Sequence, residues 1–171
     1  MWTKIYLIAL AVAVLPLIFL YFYAWSWLGS IGAPAAAVEG FNYYFNIAWN
    51  YLWITSLILL VLANVLMWKT RKSWALWSTL GFFAAFVLIK FFLLDTQLSA
   101  FKQEKGFPPE SVSFGAFLGV VYVVLAAVII YFNQFIVLRL TEKMHPQTEG
   151  ESFTKEPILD ESEIKQIETE Q

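Results

Sequence analysis

Three long stretches of this chain are almost without charge, and each is at least as long as a membrane is thick. Within residues 5–68 the only charged side chain is Glu39, within 73–94 it is Lys90, and within 111–138 there is none. A bilayer core about 30 Å deep is crossed by roughly 20 apolar residues at 1.5 Å rise each. The first stretch therefore holds two spans and the others one each. The sequence predicts an all-α integral membrane fold: four transmembrane helices over about 5–28, 45–68, 74–94 and 114–138, in an up-down bundle with a short cytoplasmic link between helices 2 and 3. An acidic tail, 139–171, follows.

Composition agrees. The 171 residues are 60% hydrophobic and 14% charged, where soluble domains average about a quarter charged. High hydropathy without polar alternation argues against a transmembrane β-barrel. There is no basic stripe with interleaved aromatics, so no nucleic-acid partner is expected. The absence of cysteine removes disulfides, thiolate ligands and thiol redox chemistry from consideration.

Pro16 falls mid-span, where it deletes one backbone hydrogen bond and favours a kink. The Gly- and Pro-containing stretch 29–40 reads as a loop. Its Ala-rich end resembles a signal-peptidase site with cleavage after Ala37, but the preceding apolar run is longer than a secretory core, so an uncleaved span is expected. Lys69, Arg71 and Lys72 lie between spans two and three, which predicts a tight helical hairpin. The stretch 95–113, with Gly106, Pro108 and Pro109, reads as the next loop.

Orientation follows from Lys and Arg near the span ends. With the N-terminus inside, Lys4, Lys69, Arg71, Lys72, Arg139 and Lys143 lie inside against Lys102 and Lys105 outside. Trp2, Trp68, Trp74 and Trp77 then form an inner belt, and Trp25, Trp27, Trp49 and Trp53 an outer one. Both termini are expected to be cytoplasmic, in a plasma or bacterial inner membrane. The tail carries nine acids and four bases and reads as a solvated extension, with a short amphipathic segment over 157–167 that needs a partner to be stable.

Candidate functional residues are few. Asn42, Asn46 and Asn50 recur every four positions on the second span, and Asn64 returns to nearly the same azimuth, with Ser56 close by. In lipid an unpaired amide costs several kcal/mol, so this polar face is expected to meet protein or water. Interhelical hydrogen bonding is the ordinary account; a polar path or ligand cavity is the sharper one. Lys90 is the one ionisable residue inside a span, expected to reach the headgroups or Asp95 by its long stem. Gly115 and Gly119 make a GxxxG pattern for close helix packing. Asn133 and Gln134 mark the inner end of the fourth span.

No catalytic or metal-binding residues are expected. His145 stands alone in the tail, and no phosphate loop, HExxH or GxSxG motif occurs. No cofactor is assigned, although a tetrapyrrole, a quinone or a structural lipid is left open. The expected partners are the bilayer, other membrane subunits and a basic cytoplasmic protein for the tail. The expected role is a non-catalytic accessory or scaffold subunit of a respiratory, photosynthetic, transport or envelope complex. The alternatives are a small oligomeric transporter or channel with an Asn-lined path, and a lipid- or quinone-linked enzyme.

Overall fold

The computed structural model describes residues 1–71, 73–108 and 115–144. Lys72, the expected start of the fourth span at Phe114, and the tail beyond Met144 with its 157–167 segment lie outside the described residues; the first residues of the expected tail, 139–144, continue the last helix instead. All of the regular structure among the described residues is helical: α1 (Trp2–Leu28), α2 (Pro34–Thr70), α3 (Trp74–Leu88), a π-helical segment (Ile89–Leu94), α4 (Asp95–Glu104) and α5 (Gly115–Met144). Among these residues four helical runs are long and apolar enough to cross a membrane: Trp2–Leu28, Pro34–Thr70, Trp74–Glu104 and Gly115–Leu140. The chain divides into a compact unit, Met1–Arg139, and a second, Leu140–Gln171; the packing below belongs to the first.

Two helices are longer than their apolar runs. Most of the stretch 29–40 is helix, because α2 starts at Pro34. Proline is well suited to a first helical position, since its fixed φ is helical and its missing N–H would have no partner there. Ala37 is consequently a buried position inside α2. The stretch 95–113 begins as helix too: the π segment leads straight into α4, which keeps hydrogen bonding to Glu104. The stop is a Schellman motif. The Phe107 N–H donates to the Lys102 carbonyl (3.0 Å) and the Gly106 N–H to that of Gln103 (3.2 Å), and Gly106 takes φ 72°, which glycine adopts without steric cost. Between α2 and α3, Arg71 closes α2 at φ 55°, donating its N–H to the Met67 carbonyl at 2.8 Å.

The core lies along α2. Its buried positions, Ala37, Phe41, Phe45, Ala48, Leu52, Thr55, Leu59, Ala63 and Leu66, repeat every three or four residues, the spacing of a single helix face. Alanines on this stripe, with Ala13 and Ala24 on α1 and Ala75 on α3, let helix backbones approach closely where hydrocarbon supplies no hydrophobic drive. Gly40 takes this furthest: a Cβ there would collide with the Trp27 ring.

Three tyrosines tie α1 into the bundle. Tyr6 is buried and donates to the Ala75 carbonyl at 2.8 Å, with Ser78 Oγ at 2.6 Å and Thr79 Oγ1 at 2.9 Å beside the same oxygen. The Tyr21 hydroxyl donates to the Phe86 carbonyl at 3.3 Å. The third reaches α1 from α2: the Tyr51 hydroxyl donates to the Val12 carbonyl at 3.0 Å. Val12 is four residues before Pro16, so its carbonyl is the acceptor that proline leaves without an intrahelical donor. α1 stays continuous through Pro16, and a side chain of the neighbouring helix makes good the missing bond.

Candidate functional site between α2, α3 and α5

α5 meets the rest of the bundle through several contacts, two of which bracket a gap. Near its start, Gly119 stands against Phe91, where an added Cβ would come within 3.0 Å of the phenylalanine Cβ. Near its other end, the Asn133 amide donates to Asn64 Oδ1 at 2.6 Å. Between these contacts, beside the Tyr122 ring and up to the buried Ile130, a gap is left between the helix and α2 and α3. The gap is a cavity of about 240 Å³ whose wall includes Trp53, Ser56, Phe83, Tyr122, Ala126 and Ile130.

The end of the cavity towards Gly119 is closed by rings. Tyr122 stacks on Phe91 (6.0 Å between centroids, 16° between planes) and meets Trp49 and Trp53 edge-on at 5.7 and 6.0 Å. Trp53 in turn meets Phe83 at 5.2 Å. Edge-to-face and offset pairs of this kind contribute about 0.5–1.5 kcal/mol each beyond area burial.

Next to this cluster lies Lys90, within the π segment. Its ammonium sits 3.9 Å from the Phe91 ring centroid and 4.5 Å from those of Phe45 and Trp49. The two options open to it from sequence, the headgroups or Asp95, are thus joined by a third, the faces of three rings. A half-buried cation over aromatic faces gains between about 0.5 and 2 kcal/mol per contact. Asp95 adds a coulombic attraction. The π turn helps here: the Asp95 N–H donates to the Lys90 carbonyl, an i to i−5 bond that turns both residues towards one side of the helix.

Polar groups along the cavity are unequally served. Thr79 Oγ1 shares the Tyr6 cluster and its own helix's Ala75 carbonyl at 2.9 Å. Ser56 Oγ is buried and has no hydrogen-bond partner; Gln134 Oε1 on α5 is in the same condition. A buried hydroxyl left unpaired costs about 1–3 kcal/mol.

The asparagines of α2 do not share one environment. Asn64 is half-buried and bonded to Asn133, whereas Asn42, Asn46 and Asn50 are exposed on the surface of the chain. Among the residues of α5 whose burial is described, Gly119 and Ile130 are the two buried ones, and Gly115 is the first residue of that helix. Among the described residues no cluster of His, Asp or Glu is placed to hold a metal. The aromatic wall and the Lys90 cage are the features that sequence reasoning missed. Phe45, Trp49 and Trp53 at four-residue spacing were a signal in principle, but only the register of α2 against α3 and α5 brings them to Lys90 and Tyr122.

In comparison with known proteins, no family model, no curated protein and no solved structure matches the chain.

Proposed function

We propose that this chain is a non-catalytic subunit of a larger membrane assembly, an up-down bundle with both termini and the α2–α3 link on the cytoplasmic side. The supporting observation is the pair of exposed amides on α2. Asn50 is 18 residues from Trp68, about 27 Å along the helix, and so inside a core about 30 Å deep. Asn46 lies one turn further, at the headgroup boundary. Both are exposed in the single chain, and an amide facing hydrocarbon is costly. A partner helix laid along this edge would satisfy both, and the acidic tail offers a second contact to a basic cytoplasmic surface.

The absence of cysteine makes the test clean. Asn50→Cys carrying a photo-crosslinker, in native membranes, is expected to give one protein adduct of defined mass, while Ile58→Cys, on another exposed face of α2, gives lipid adducts. Lipid adducts from both positions would sink the proposal. An adduct of twice the chain's own mass would shift the reading to an oligomer with Asn46 and Asn50 between copies, the arrangement a transporter or channel needs.

A further inference from the structure

The cavity between α2, α3 and α5 has the attributes of a binding site, and these are independent of whether a partner helix covers Asn50. First, the stand-off of α5 is built in. Gly119 and Asn133, two close contacts of α5, are 14 positions apart, about 21 Å along a helix, and the cavity-lining residues Tyr122, Ala126 and Ile130 fall between them. Gly119 faces Phe91 so closely that a Cβ would not fit there without a shift, and the Asn64–Asn133 bond fixes the other end, so the spacing is set at both sides of the gap. Second, the size is selective. An apolar cavity of about 150 Å³ accepts benzene, and sites for drug-sized molecules start at about 300 Å³, so the 240 Å³ present suits one substituted ring whose tail runs out between the helices. Third, the walls suit a planar ring: Trp53, Phe83 and Tyr122 offer faces and edges, and aromatic groups prefer such neighbours. Fourth, Ser56 belongs to the wall and its buried hydroxyl has no hydrogen-bond partner in the protein, so a ring oxygen reached by rotation about χ1 would give it one.

We infer that this cavity binds the ring of a lipid-tailed quinone or phenol, with the Ser56 hydroxyl hydrogen-bonded to the ring oxygen and the tail lying in the bilayer. An acyl chain, the other apolar occupant a membrane provides, would use neither the hydroxyl nor the ring faces. No electron or proton transfer is part of the inference.

The test uses the full chain in phosphatidylcholine nanodiscs, titrated with a decyl-substituted benzoquinone and followed by tryptophan fluorescence, since Trp53 lies in the wall. Quenching is expected to saturate at one quinone per chain, and Ala126→Phe, which fills the cavity, is expected to leave only the linear, non-saturating component. Ser56→Ala is expected to weaken binding about fivefold, the worth of one ordinary hydrogen bond. It removes a single oxygen, so it keeps the test decisive if Ala126→Phe fails to fold. Decanoic acid at matched concentration is expected not to displace the quinone. Linear quenching in the wild type, equal affinity in Ser56→Ala, or displacement by decanoic acid would each overturn the inference.

Discussion

α2 and α5 are both long apolar helices, yet they are held by different means. α2 buries ten side chains along one stripe, is locked to α1 through the Tyr51–Val12 bond and the close approach of Gly40 to Trp27, and forms the spine of the bundle. α5 buries only Gly119 and Ile130 among its described residues and leans on its neighbours mainly through partly buried side chains such as Tyr122 and Val123. Hydropathy does not distinguish them, since both are apolar enough to span. What differs is how many small residues are buried against a neighbour, Ala37, Ala48, Thr55 and Ala63 on α2 against Gly119 on α5, and such residues let membrane helices approach closely. α5 is therefore the helix that can leave space beside it.

The glycines offer the strongest way to break this contrast. Gly40→Ala places a methyl group inside the Trp27 ring, between two tightly held helices, and is expected to cost about 1–3 kcal/mol as an overpacking change. Gly119→Ala meets Phe91 at 3.0 Å, but α5 is free to retreat, so a smaller loss is expected. Equilibrium unfolding of both variants in mixed micelles checks the order; equal losses would mean that α5 is as firmly held as α2.

Tyr51→Phe is expected to cost about 1 kcal/mol, the net worth of one hydrogen bond. The loss should largely disappear when Pro16→Ala is added, because the Val12 carbonyl then regains its intrahelical donor. A double-mutant cycle measures this coupling, and strict additivity would show that the hydroxyl is not what serves that carbonyl.

The smallest effect is expected at α5. Asn133→Ala removes the side-chain hydrogen bond from α5 to Asn64 on α2, and bonds of this kind average about 0.6 kcal/mol between membrane helices. Thermal unfolding should barely move, while a crosslink between single cysteines placed at 60 and 129, on either side of the cavity, should form less efficiently. A large fall in stability would contradict the picture of a lightly attached helix.

Much of the architecture was legible in the sequence because membrane spans are read from length and charge, and those depend on each segment alone. The four runs were found within a few residues where apolar runs coincide with helices. They were misjudged where polar residues continue a helix beyond the hydrocarbon. Ala-Pro-Ala at the head of α2 carried the signal of proline at a first helical position. Asp95 through Glu104 carried good helix formers with an acid first and Lys102 near the end, the polarity a helix dipole favours. Gly106 was legible as an interruption, though not as the cap of a helix already under way. The candidate site was far less legible. Asn64 and Gly119 could be marked as contact residues, but the partners Asn133 and Phe91 are about 70 and 28 positions away and depend on which helix stands beside which. The π turn that carries Lys90 has no sequence signature comparable to a proline or a capping box.

The bond between Tyr51 and Val12 also bears on the order in which the protein is made. The first span, with Pro16 at its centre, enters lipid carrying a carbonyl whose regular intrahelical donor is missing. It gains that partner only when Tyr51, 39 positions later in the chain, follows it in. A lone α1 is thus an incomplete membrane segment, and the natural unit of insertion is the pair α1–α2. The proline gives the first helix a need that only the second can meet.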